Sequence, residues 1–140
     1  MANTETSSSP AQSAAAAPVS TMAMLAPLVG WLVPGAGHLI QRRWIRGVLL
    51  MASVVTMFFL GLAMEGKIYR PNTGDLLDIL GFVGDVGAGG LYILGRMLEW
   101  GGTAISQATA DYGTKFIVVA GLLNVMSVVD AYHIAIGKKP

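Results

Sequence analysis

Two long apolar runs joined through WLVPGAGHLIQRRWIRG, from Trp31 to Gly47, constrain this chain more than any other feature. Met22 to Ile40 carries one ionisable residue, His38, near its end. Gly47 to Met64 is uncharged over eighteen residues, about 27 Å of helix at 1.5 Å per residue and close to the thickness of a hydrocarbon core. Between the runs, Pro34-Gly35-Ala36-Gly37 should kink or end a regular helix, because proline has no N–H to give. Inside a bilayer the carbonyls freed by such a break must find protein or water, so the break implies packing on a neighbour, expected to be the next helix. Arg42, Arg43 and Arg46 crowd one side of the turn, and Trp31 and Trp44 suit the interfacial belt. The stretch reads as a membrane helical hairpin with its turn at a headgroup surface.

Composition agrees. Of 140 residues, 54% are hydrophobic and 12% charged, on the apolar and charge-poor sides of soluble domains. The nine basic and eight acidic residues cluster and leave windows long enough to cross a bilayer. A net charge of +1 argues against a nucleic-acid partner, which calls for a broad basic face. The absence of cysteine excludes disulfides, thiolate metal sites and cysteine nucleophiles.

Residues 1–21 are rich in Ala, Ser and Pro with Glu5 as the one charge, which predicts a disordered tail without the basic start of a secretory signal. Residues 22–139 form one membrane domain with spans expected at 22–40, 47–64 and 116–136. Ala52 and Thr56 offer a small-xxx-small pair for close helix contact. Glu65 to Asp75 is a polar loop; Asp75 is placed to cap the next helix, with Asp78 in its first turn. Residues 76–100 carry Asp78, Asp85, Arg96 and Glu99 among many glycines. A mid-span aspartate costs about 2.5 to 3.5 kcal/mol on insertion scales, which favours an amphipathic or re-entrant element over a full span. Gly81, Gly84, Ala88 and Gly95 fall at helical spacing, as a packing seam would. Gly101 to Lys115 is expected to be a polar loop.

By the positive-inside rule the arginine turn is cytoplasmic, the N-terminus outside, and the C-terminal lysines inside if there are three spans. Counting basic residues gives five inside against four outside for three spans and for four, so charge does not choose. The expected location is a bacterial inner membrane.

Pro34-Gly35-Ala36-Gly37-His38, then Arg42-Arg43-Trp44 and Gly47, resemble the opening hairpin of several small bacterial membrane families. Adding Tyr112-Gly113-Thr114-Lys115-Phe116, Ala120-Gly121-Leu122-Leu123-Asn124, Asp130-Ala131 and Gly137-Lys138-Lys139, the chain is similar to an uncharacterised family of inner-membrane proteins, one of the numbered domains of unknown function. The resemblance covers both ends of the chain and implies placement in a membrane without implying an activity.

Three groups of side chains are candidates for function. His38 with Arg42, Arg43 and Arg46 has the donors to hold a phosphate or an anionic lipid headgroup. The plainer alternative is that the arginines fix topology and snorkel to the interface. Asp130 and His133, a helical turn apart, suit a proton relay or a metal pair, but two ligands are too few for a metal site. The plainer alternative is an aspartate held by His133 or a lysine. Asn124, Ser127, Asp130 and His133 recur every three residues, a step of about 300° that makes the polar stripe drift around the helix. Asn124, the deepest, is expected to bond the freed carbonyls near Pro34. Asp85 is functional if it lies inside the bilayer and simply solvated if its segment lies at the surface. Neither a phosphate loop nor a nucleophile elbow is present, so no catalytic residue, cofactor or metal is assigned.

The expected protein is all-α: a helical hairpin and a C-terminal transmembrane helix with a Gly-rich element between them. Its expected role is that of a structural or interaction component whose partners are the lipid bilayer and a membrane protein or a second copy. Helix packing is assigned to Pro34, Gly35, Gly37, Asn124 and Asp130. The alternatives are an anionic-lipid-binding or lipid-modifying protein using His38, Arg42, Arg43 and Arg46, and a subunit of a transport complex using Asp85, Asn124 and Asp130.

Overall fold

A computed structural model describes residues 20–71, 74–101 and 108–138. The tail expected over 1–21, apart from its last two residues, lies outside the described residues, as do Asn72, Thr73, Lys139 and residues 102–107 of the expected loop. The described residues form helices and connections only: α1 (Thr21–Leu32), α2 (Ala36–Ile40), α3 (Trp44–Ala63), α4 (Leu76–Gly87), α5 (Gly90–Met97) and α6 (Ala108–Ala135).

The break at Pro34 forms as expected. The Val33 N–H closes the last turn of α1 on the Val29 carbonyl, and Gly35, with φ of 77°, turns the chain into the five-residue α2. Asp75 caps α4, its Oδ1 accepting the Leu77 N–H at 3.1 Å, and Asp78 stands in the first turn. Four helices end in the same Schellman pattern, in which the residue after the cap adopts a left-handed conformation. Arg42, Glu65 and Glu99 take that position after α2, α3 and α5 with φ of 61°, 57° and 52°, where glycine is the usual choice. Only α6 uses glycine there, at Gly137.

The last helix is longer than its apolar run. Residues 108–115, expected as loop, are its first two turns, joined by Asp111 and Lys115, which pair at 2.6 Å one turn apart. Gly113, which reads as a loop signal, is instead the point where α6 meets the backbone around Gly61 and Gly66. At 28 residues α6 is about 42 Å long.

Contacts along α6 fix the path of the rest. Gly61 of α3 lies against Gly113 and Ile117, while Arg46 reaches Asp130, so α3 runs antiparallel to α6. α1 is also antiparallel to it: Ala26 and Gly37 sit level with Ala131, Gly30 with Val128, and Trp31 with Asn124. α1 therefore starts at the arginine end, descends to the middle of α6, and the chain returns through α2 to the level of Asp130. The segment 22–40, expected as a first span with a break at Pro34, reverses direction at that break. α4 and α5 do the same from the other end. Gly84 packs on Val118 and Gly87 on Gly121; α5 then departs at 109° and brings Gly95 to Ile68 and Gly101 to the Gly66 carbonyl. The two bends touch, Gly89 against the Trp31 carbonyl and Gly90 against that of Leu32. Gly89, at φ of 61°, has no room for a side chain there.

The chain thus repeats one pattern twice in opposite directions: a twelve-residue helix, a sharp break, a short helix and a long one. The core between the halves is built from Val54, Phe58, Ile68, Ala88, Ile117 and Ala120. Ala52 and Thr56 are not part of it. They face outward, because the packed face of α3 is set by Gly47, Val54, Phe58 and Gly61.

α3 and α6, with mean hydropathies of 2.0 and 1.7, are long and apolar enough to cross a membrane, and α4 with α5 would be a third if the bent pair is counted as one span. The architecture is that of an all-α protein compatible with a membrane, its C-terminal helix among the two that qualify.

Candidate functional site

Polar side chains gather at two places. The first is where the bends meet. The Asn124 Nδ2 donates to the Trp31 carbonyl at 3.1 Å and to the Gly87 carbonyl at 2.9 Å. One fully buried amide thereby serves a carbonyl released ahead of Pro34 and another released at the end of α4. The Trp31 indole N–H donates to Val86 at 3.1 Å, so this tryptophan ties the two breaks together instead of joining an interfacial belt. Two residues before Gly87 on α4, Asp85 is fully buried and accepts the Tyr69 N–H at 2.6 Å. The expectation that Asp85 is solvated if its segment lies at the surface is corrected: the loop after α3 folds inward over it, with the Lys67 N–H on Thr114 Oγ1 at 2.9 Å and Tyr92 donating to the Tyr69 carbonyl.

The second is the arginine end. His38, expected beside the arginines to face a ligand, is fully buried and bonds Asp130 through Nε2 at 3.0 Å. The sharp turn at Gly35 rotates the short α2 so that its histidine points to α6. Arg46 Nη1 donates to the same Asp130 oxygen at 3.3 Å. Asp130 is therefore held by two groups from the hairpin, where the sequence suggested His133 or a lysine. Gln41 anchors the turn by donating to Gly37 and Ala131 carbonyls at 2.8 and 3.0 Å. The assigned packing residues Pro34, Gly35 and Gly37 are all buried; a methyl on Gly37 would press on the Ala26 carbonyl.

The three arginines do come together. With Trp44 and Ile45 they line a surface depression of about 340 Å³, and Arg46 is half exposed. Arg46 also lines a second cavity, of about 630 Å³, between α3 and α6; Asp130 and His133 stand beside it there, above apolar side chains. His133 thus shares a wall with Asp130. The drifting stripe is seen in part: Asn124 and Ser127 are buried, and Asp130 and His133 are partly exposed at this cavity.

Sequence reasoning missed the Tyr69 N–H, Trp31 and Gln41 as structural partners. Only Asp85, an acid in a glycine-rich apolar stretch, signalled that something must meet it. No group of three or more His, Asp or Glu suited to a metal occurs among the described residues.

The profile of a family of unknown function, DUF6677, matches residues 25–140. No curated protein and no solved structure matches the chain.

Proposed function

The chain belongs to the DUF6677 family, to which no activity is attached, and from that premise we propose that it is a small integral membrane protein acting as a structural or interaction component. In this reading α3 and α6 cross the bilayer of a bacterial inner membrane. The α1–α2 and α4–α5 hairpins enter from opposite faces and return. By the positive-inside rule the arginine turn and the C-terminal lysines face the cytoplasm. The start of α1 then faces it too, on the opposite side from that expected of a full span at 22–40.

The observation that carries the interaction role is the outward position of Ala52 and Thr56. The chain's own close contacts are made elsewhere, which leaves this pair of small residues one turn apart for a helix of another chain, either a second copy or a partner. The natural chain has no cysteine, so Ala52→Cys gives one thiol. Under mild oxidation in membranes it is expected to cross-link, and Leu122→Cys, at an exposed position of α6, is not. Equal cross-linking at both, or none at either, would sink the role.

A second reading, an anionic-lipid headgroup site, is supported by the depression that Arg42, Arg43 and Arg46 share. Guanidinium groups gathered at a membrane surface suit phosphate oxygens. Retention of phosphatidylglycerol over phosphatidylcholine by the purified protein, lost in Arg42→Gln with Arg43→Gln, tests it. A transport role finds less support. The bends of the two hairpins are in backbone contact, so a path through them would require that contact to open.

A further inference from the structure

We propose that the cavity between α3 and α6 holds one acyl chain of an anionic lipid whose headgroup lies on the arginines. This rests on the headgroup reading and adds the part of the lipid that enters the protein.

Arg46 carries the argument, because it lines both the arginine depression and the cavity and so joins a polar surface to an apolar groove. Its Nη1 is engaged with Asp130, but a guanidinium has five N–H donors in a fork, and this one is half exposed. Below it the walls are Leu50, Leu123, Met126 and Val129, with His133 at the rim. The sequence of surfaces, cationic and then apolar, matches a phospholipid from phosphate to tail.

The dimensions choose between a lipid tail and another helix. The lining residues of α6 run from Leu123 to His133, about 15 Å at 1.5 Å per residue, half of a 30 Å hydrocarbon core. The groove starts at the arginine end and stops near the middle of α6, at the level where the hairpin bends meet. That is the depth of one leaflet. A transmembrane helix from a second chain would lie along both leaflets. The volume of about 630 Å³ is within the usual range of small-ligand sites.

Asp130 stands at the mouth, where it would repel a phosphate if it were unpaired. His38 and Arg46 both bond it, so the carboxylate is compensated and Arg42 and Arg43 add positive charge to the rim.

The test uses the full chain, purified and examined by native mass spectrometry after incubation with an equimolar mixture of long-chain phosphatidylglycerol and phosphatidylcholine. Dihexanoyl phosphatidylglycerol serves as a short-chain probe of the headgroup alone. Wild type should retain the long-chain anionic lipid in preference. Arg46→Gln should lower that preference roughly tenfold, the loss of one charge-assisted hydrogen bond. Val129→Trp fills the groove from a half-exposed position; it should abolish retention of the long-chain lipid and leave the short-chain probe unaffected. Met126→Trp, at a more exposed site, repeats the test if Val129→Trp does not fold. Undiminished long-chain retention in the folded Trp variants overturns the groove, and the headgroup reading survives if Arg42→Gln with Arg43→Gln still removes the preference. No preference in wild type sinks both.

Discussion

Asp85, near the middle of the bundle, and Asp130, at its arginine end, solve the same problem by different means. Asp130, with 22% of its side chain exposed, is met by side chains, His38 and Arg46, that carry or can carry positive charge. Asp85 is fully buried and is met by the backbone, the Tyr69 N–H of an inward-folded loop. A carboxylate held by side chains tolerates exchange of a partner, because water reaches one side of it. One held by an N–H inside the fold depends on the whole loop staying where it is. The difference teaches that the arginine end can change partners at modest cost, whereas the region around Asp85 is suited to hold its shape.

The comparison can be broken by substitution. The largest effect is expected from Asp85→Leu, which leaves the Tyr69 N–H buried without its acceptor, at about 1 to 3 kcal/mol. Asp85→Asn keeps an acceptor oxygen and should cost clearly less. Denaturant unfolding in micelles reads the difference, and equal costs would show that the loop does not depend on this bond. Asn124→Leu comes next. It strips the Trp31 and Gly87 carbonyls of a donor and enlarges a side chain at a close contact, for about 1 to 2 kcal/mol. Asn124→Ala should cost less, and a neutral Asn124→Leu in the same assay would remove the link between the two breaks. Asp130→Asn should cost about 1 kcal/mol or below, since the amide oxygen still serves His38 and the Arg46 pair is partly screened by water. If it costs more than Asp85→Leu, the contrast drawn above is inverted. The smallest expected change is a gain. Arg42→Gly relieves a left-handed arginine and should stabilise by about 0.5 to 1 kcal/mol, read as a small rise in melting temperature. A loss instead would mean that the arginine makes a stabilising contact.

What could be read in the sequence was local. The break needed only Pro34 and Gly35, and the cap of α4 needed only Asp75 ahead of an apolar run. The numbered family was legible in the motifs at the two ends of the chain. What escaped depended on distant neighbours. Residues 22–40 are apolar enough and long enough to suggest a crossing, and nothing within them says that the chain turns back at Pro34. The inward aim of His38 follows from how a five-residue helix is rotated after that turn. Gly113 looks like a loop residue until Gly61 and Gly66 are placed against it. Asp85 announced a partner without naming it, because a backbone N–H has no signature in a sequence.

In the proposed membrane setting, the repeated pattern has a consequence for how the chain is inserted. Since its halves run in opposite directions, the order of elements met from one face is the order met from the other, and helix arrangement gives the insertion machinery little to distinguish them. In the proposed orientation, which way up the molecule sits falls to the charges at its two ends: Arg42, Arg43, Arg46 and Lys138 at one, against acids mixed with Lys67, Arg70, Arg96 and Lys115 at the other. A fold of this kind makes orientation a ballot decided by a few votes, and moving one or two arginines should be enough to divide a population between two opposite poses.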